Sequence, residues 1–385
     1  MPQLATLLAQ AGRQTDPLTG AISTPIYQTA TFAHPAVGES TGFDYTRSAN
    51  PTRKALEDAM TAIEGGVASF AFASGLAALS TLICLFNQGD HLVVAEGSYG
   101  GTYRLLDQVF ARFGISATYV PVTDTAAFAA AIRPNTRALL VESLSNPCLA
   151  VPDLPALAQL ARDNDKLFIV DNTFLTPYWL RPLDLGDGLG ADIVVHSASK
   201  FLAGHNDTIA GIVSVRDPAL AERVGYLQNA VGAVLAPQDA WLTLRGLKTL
   251  ALRLDAQQRS TLAIARWLQT QPQVKHVYYP GLEDDPGHAR LQTFASGFGS
   301  VLSFELADNA AVARLVEGVK LIAFAESLGG VESLITIPAV QTHANLSAEE
   351  RLRLGVTDTL VRLSLGIENA DDLITDIATA FSLHK

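Results

Sequence analysis

An α/β fold is what this sequence predicts: a mainly parallel seven-stranded sheet with helices on both faces, followed by a smaller C-terminal α/β domain. Three observations carry that expectation. Between about residues 50 and 215, short apolar runs alternate with helical patterns, as a sheet buried on both faces requires. Past residue 246 the rhythm changes to a long amphipathic stretch and then to new strand-like runs. The 385 residues, 48% of them hydrophobic, are enough for two cores.

The elements follow in order. Residues 1–48 hold little regular pattern and are rich in Pro, Gly, Ser and Thr, so they read as an arm that is functional or packed on a partner. "NPTRKALEDAMTAIEGG" then reads as a helix. Asn50 can cap it, Pro51 suits the first turn, Leu56, Met60 and Ile63 share one face, and Gly65-Gly66 stop it. Strands are expected at 68–72, 91–95, 115–120, 138–142, 167–170, 192–195 and 211–215, with helices such as 102–113 and 153–163 between them. This large unit spans 49–246. A C-terminal domain, 247–385, should contain strands in "GSVLSFEL" and "LVRLSLGIE", after one long helix or two in sequence over 244–271.

The uncharged segment Gly65–Gly89 has membrane-spanning length, but its Gly-Gly pair and central Ser-Gly fit a buried strand, a turn and a buried helix better. A net charge of −11 argues against nucleic acid or an anionic membrane as a main partner. Cys84 and Cys148 cannot build a disulfide framework, and the start "MPQLATLLAQAGRQTD" lacks a basic region followed by an apolar run. A cytoplasmic protein without a signal peptide is therefore expected.

In open α/β sheets, ligands bind beyond the carboxyl ends of the strands. There the sequence places Ser74-Gly75-Leu76, then Tyr99 in "EGSYGGTYR", Asn146 in "SLSNP", Asp171 and Thr173 in "DNT", and Ser197, Ser199 and Lys200 in "HSASK". Gly75 allows close backbone approach, and the N–H groups opening the next helix favour an anion. The two serines add hydroxyl donors, and Tyr99 offers a face for stacking. Asp171 ends an apolar strand and needs a cation, which a protonated pyridine nitrogen supplies. Lys200 is a candidate Schiff-base amine. Together these are the parts of a pyridoxal-phosphate (PLP) site.

Blander readings compete. A lysine after a strand is commonly solvated, and Asp-Asn there is commonly a turn. Ser197-Ala-Ser-Lys200 also satisfies S-x-x-K, the signature of a Ser–Lys acyl-enzyme hydrolase, but its S-D-N and K-T-G companions are absent. No metal site is expected, because His196 and His205 lack a third ligand at suitable spacing; these and His343 read as structural, and both cysteines as core residues. Walker A and G-x-G-x-x-G fingerprints are missing too.

At these residues the sequence resembles the Cys/Met-metabolism (trans-sulfuration) family of PLP enzymes, over essentially the whole chain. "STPIYQTATF", "DYTRSANPTR", "FASGLAALS", "SYGGTYR", "VDNTFLTP", "HSASKFLAGH", "LRGLKTLALR", "SLGGVESL" and "LVRLSLGIENADDLI" carry the likeness. The resemblance implies the PLP-dependent transferase fold, aspartate aminotransferase-like, with Lys200 as Schiff-base lysine and Asp171 as pyridinium partner. It implies that Tyr99 stacks on the cofactor, that Gly75, Leu76, Ser197 and Ser199 bind its phosphate, and that Asn146 and Thr173 flank the ring. Tyr45 and Arg47 match a pair that reaches the phosphate of the neighbouring subunit, which makes a dimer necessary and a homotetramer expected. Ser327 and Arg362 match residues holding the substrate α-carboxylate. From the sequence alone, Arg362 reads as a solvated strand face between Val361 and Leu363.

Within the family, the resemblance points to the cystathionine γ-lyase and γ-synthase branch. Methionine γ-lyases carry a cysteine where this chain has Gly101. Glu326 and Asp44 stand where that branch has acidic residues able to receive the distal ammonium of cystathionine. The implied activity is a PLP-dependent carbon–sulfur lyase: γ-elimination of L-cystathionine to cysteine, 2-oxobutanoate and ammonia, with β-elimination as a side activity. Catalytic roles fall to Lys200, Tyr99 and Asp171. Cystathionine γ-synthase and β-lyase readings stay open.

Overall fold

The structure is a computed structural model and describes residues 2–13, 15–344 and 346–383. Seven strands form the large sheet: β1 (Ala68–Phe72), β2 (His91–Ala95), β3 (Ser116–Val120), β4 (Thr136–Glu142), β5 (Leu167–Asp171), β6 (Ile193–His196) and β7 (Gly211–Val215). Their order is β1-β7-β6-β5-β4-β2-β3. Strands β3, β2, β4, β5 and β6 pair in parallel, and β7 runs antiparallel to both β6 and β1. Their carboxyl ends, β7's excepted, therefore share one edge.

Alternation along each strand feeds two layers. Val93, Leu139, Val141, Phe168 and Val170 join one core with Leu56, Met60 and Ile63 of the helix Pro51–Glu64. Leu92, Val94, Leu140, Ile169 and Val195 face the other core, with Leu79 and Leu82 of the helix Gly75–Ile83. Burial on both faces explains why these strands read as continuous apolar runs. The first of these helices starts and stops as expected: Asn50 accepts the N–H groups of Thr52 and Arg53, and Gly65 ends it at φ 74°. The segment Gly65–Gly89 holds β1 and the helix Gly75–Ile83, and no described helix is long and apolar enough to cross a membrane.

Residues 244–271 form two helices, Pro237–Leu247 and Leu250–Gln269. The second is shared: Leu250 and Leu254 pack in the large core, whereas Ile264, Ala265 and Leu268 pack in a separate one. That second core lies under a sheet ordered β10 (Ala323–Phe324), β11 (Leu334–Thr336), β12 (Leu360–Ser364), β9 (Val301–Leu306) and β8 (Val274–Tyr278). The expected regular helix over 102–113 is not regular. It begins as an α-helix at Gly100–Arg104, loosens to a π-turn over Leu105–Val109 and tightens to 3₁₀ over Phe110–Phe113 before Gly114 at φ 78°. The arm contains one short helix, Leu4–Ala9, and a lone bridge between Thr31 and Tyr45.

Candidate active site

A cavity of about 590 Å³ opens at the shared carboxyl edge, and the second sheet supplies its far side. Its lining includes Gly75, Leu76, Tyr99, Asn146, Asp171, Thr173, Ser197, Ser199, Lys200, Glu326, Ser327 and Arg362. The structure thus brings together all the residues named at the large-sheet strand ends with Arg362 of β12 and with Glu326 and Ser327 of the loop after β10. Asp44, Tyr45 and Arg47 do not line this chain's cavity. Asp44 accepts from Ser40 Oγ at 2.6 Å, and Arg47 lies over the Tyr45 ring and donates to Asn229 Oδ1 at 3.3 Å.

Local chemistry fixes each group. Ser74 caps the helix Gly75–Ile83 by accepting the Ala77 N–H, and Ser74, Gly75 and Leu76 at this helix start line the cavity. A Cβ on Gly75 would lie 2.9 Å from Ser197 Cβ, so only glycine lets helix and "HSASK" loop approach this closely. Asp171 Oδ1 accepts both the backbone N–H (3.0 Å) and the hydroxyl (2.5 Å) of Thr173, whose oxygen in turn accepts the Ser197 N–H at 2.8 Å. Burial raises the Asp171 carboxyl above its ordinary range, while the Thr173 bonds and the field of His196 oppose the rise. Ser199 Oγ is held by Ala210, accepting its N–H at 2.9 Å and donating to its carbonyl at 3.2 Å.

Lys200 Nζ donates to Ser327 Oγ at 2.7 Å. Burial, then the Arg362 guanidinium, pulls this amine down to about 8, with Glu326 opposing. The loop behind it is clamped by Arg253, which donates to the carbonyls of Phe201 (2.9 Å) and Gly246 (2.8 Å). Tyr99 sits at the mouth, 43% exposed, and its ring covers Gly101. A Cβ at 101 would lie 2.3 Å from Tyr99 Cε1, so a cysteine there requires the ring to move.

Arg362 corrects the solvated reading that alternation suggested. Val361 and Leu363 enter the second core, which turns Arg362 to the opposite face, and that face is the cavity wall rather than solvent. It is 2% exposed, donates to Asn146 Oδ1 (3.0 Å) and the Ser327 carbonyl (2.8 Å), and leaves its buried Nε without a partner. Ser327 is held at φ 88°, a region costly for a residue with a side chain.

The histidines behave as structural groups. His196 is buried against Glu64, His205 Nδ1 meets the Ala203 carbonyl at 2.7 Å, and His343 Nδ1 meets Thr342 Oγ1 at 2.9 Å. No group of three or more His, Cys, Asp or Glu able to hold a metal occurs among the described residues. Cys148 and Cys84 are partly buried. Sequence reasoning missed Glu142, which ends β4 inside the cavity. The signal was available: "ALLVE" ends an apolar strand in a carboxylate just as "LFIVD" does.

These residues fit PLP. An amine, a half-buried carboxylate at the cavity floor, hydroxyl donors beside a helix N-terminus and an aromatic ring at the mouth are the donor set it needs. Comparisons with known proteins agree. Cystathionine gamma-lyase of Bacillus subtilis (strain 168) is 46% identical over 97% of this chain and 98% of its own length. Cystathionine beta-lyase of Lactococcus lactis subsp. cremoris (strain MG1363) is 47% identical over 99% of each. The crystal structure of cystathionine gamma synthase from Xanthomonas oryzae pv. oryzae in complex with aminoacrylate and cysteine superposes with TM-score 0.96 at 39% identity, covering 99% of this chain and 98% of that one. The family profile described as Cys/Met metabolism PLP-dependent enzyme matches residues 5–382, and the chain belongs to that family, with pyridoxal phosphate as its cofactor.

Proposed function

We propose that the chain is a carbon–sulfur lyase acting on L-cystathionine, releasing cysteine, 2-oxobutanoate and ammonia by γ-elimination. One observation carries this reading: a single cavity brings the Lys200 amine under the influence of both a buried, incompletely partnered guanidinium, Arg362, and a carboxylate, Glu326. A substrate with an α-carboxylate at one end and a second ammonium at the other meets both charges.

PLP, when bound, supplies an electron sink for charge developing at the substrate's α-carbon. Lys200 Nζ is the amine that would hold the cofactor; the substrate's amine would take its place there, and the freed Lys200, its proton affinity lowered to about 8, would take the α-proton. Asp171, fixed by Thr173, would keep the ring nitrogen protonated. The helix start at Gly75 and Leu76, with Ser197 and Ser199, would bind the phosphate, while Asn146 and Thr173 flank the ring. Ser327 and Arg362 orient the α-carboxylate, and Glu326 takes the distal ammonium. Tyr99, at the mouth, exchanges protons with the amine and the leaving thiolate. Asp44, Tyr45 and Arg47 would act across a dimer, completing a second copy's site. Apolar arm residues left exposed, Leu18, Ile22 and Val37, support an arm that docks on a partner.

The test pairs spectroscopy with product identity. Wild type purified with PLP should carry a visible chromophore that Lys200→Ala loses as a reducible covalent link, and cystathionine should yield 2-oxobutanoate. A colourless wild type would sink the reading. Pyruvate as the main product moves it to β-elimination, and rapid cystathionine synthesis from an O-acylhomoserine plus cysteine moves it to the γ-synthase.

A further inference from the structure

Two carboxylates, not one, end apolar strands at the cavity floor. Glu142 closes β4 and Asp171 closes β5, and the parallel register pairs them directly. Paired residues of neighbouring strands project to the same side of a sheet, and both line the cavity. Glu142 is only 7% exposed, and one of its oxygens accepts the backbone N–H of Tyr99. The other ionisable groups lining the cavity are Tyr99, Lys200, Glu326 and Arg362.

Two like charges on directly paired residues, one of them buried, disfavour each other; the pair titrates as a unit and retains one proton to higher pH. Partners decide where that proton rests. Asp171 receives two donors from Thr173, and the field of His196 favours its anion. Glu142 receives one backbone donor, while burial and the Asp171 charge push it well above the carboxylate range. The asymmetry leaves the proton on Glu142. Its acceptor oxygen remains available to Tyr99, because a neutral carboxyl accepts through its carbonyl oxygen.

We propose that Glu142 is a positioning residue: a neutral carboxylic acid that pins the amide of Tyr99 at the cavity mouth and leaves Asp171 as the only anion at the cavity floor. The residues around Tyr99 need such a tether. Gly97 stands at φ 74° and Gly100-Gly101 follow Tyr99, so local backbone preference alone does not fix the ring. The proposal rests on the cofactor-site reading, because both consequences act on the bound ring.

Glu142→Gln and Glu142→Ala separate it from alternatives. Glutamine keeps shape, neutrality and the acceptor oxygen; alanine loses the acceptor. We expect Glu142→Gln to retain PLP within about threefold of wild type, with the pH midpoint of the bound cofactor's visible band unmoved. Glu142→Ala should weaken retention about tenfold or more and alter the visible circular dichroism, as Tyr99 loses its tether. Three results overturn the proposal: Gln as weak as Ala, Ala as tight as wild type, or a midpoint in Gln lowered by about half a unit or more. The last would mean that an anion beside the ring had been removed. If far-UV circular dichroism shows Glu142→Ala unfolded, Glu142→Gln alone decides by the same midpoint and retention. A wild type without a visible band would instead defeat the cofactor-site reading, so the two failures are distinct.

Discussion

The two walls of the cavity are built differently. On the large-sheet side, polar groups arrive with partners: Asp171 and Ser197 are joined through Thr173, Ser199 through Ala210, and Glu142 through Tyr99. On the second-sheet side, Arg362 is buried with its Nε unpartnered, and no carboxylate among the described residues lies within ion-pair reach of it. Ser327 beside it sits in strained backbone. A preorganised wall suits a resident cofactor, whose groups stay in place through every turnover. A wall short of partners suits a substrate that completes it on arrival and leaves again. Groups held in place by their neighbours mark the wall of the resident ligand, and a buried guanidinium with an unpartnered Nε marks the wall of the transient one.

Breaking the organised wall should have the largest effect. Asp171→Ala removes the anion at the floor, and turnover should fall about 10²- to 10³-fold or more, as when a preorganised electrostatic group is deleted. The bound cofactor's visible spectrum should change at the same time, because the proposed partner of the ring nitrogen is gone. Turnover within tenfold of wild type would show that this wall is scaffold rather than machinery.

Damage to the other wall should divide differently. Arg362→Lys keeps a cation but loses the planar fork that suits a carboxylate. KM for cystathionine should rise about 10- to 100-fold, the worth of charge-assisted hydrogen bonds, while PLP content and visible spectrum stay at wild-type values. Loss of PLP along with the rise in KM would erase the distinction between the walls.

How far each wall could be read from sequence follows the same division. The large-sheet wall was legible because strand ends are legible: an apolar run closing in "VDNT" or "VVHSASK" announces a polar group at a sheet edge. Glu142 is legible by the same rule, since it closes "ALLVE" as Asp171 closes "LFIVD". The second wall was not legible from pattern. Arg362 alternates with Val361 and Leu363 as a solvent-facing residue does, and period-2 spacing cannot say whether a face meets water or another domain. Only the docking of the second sheet against the first makes that face an interior. Resemblance supplied what periodicity could not. The irregular helix over 100–113 lay beyond both, since its loosening at Leu105–Val109 has no marker comparable to Pro or Gly.

Lys200 lies where the walls meet, and its proton affinity gives the smallest and sharpest comparison. An amine at its ordinary value of 10.5 is almost wholly charged at neutral pH and cannot attack an aldehyde; burial and Arg362 bring this one down to about 8. The rate at which apoenzyme captures PLP, followed by the growth of the visible band, should therefore rise with pH and level off above about 8. Arg362→Gln removes a cation that disfavours a second positive charge, so the midpoint should move up. Glu326→Gln removes an anion that favours the charge, so the midpoint should move down, and by less, because Glu326 is the weaker of the two influences. A midpoint near 10.5 in wild type would mean that burial does not reach the amine. Equal midpoints in wild type and Arg362→Gln would mean that the substrate wall does not tune the cofactor wall, and the two would then be neighbours without being coupled.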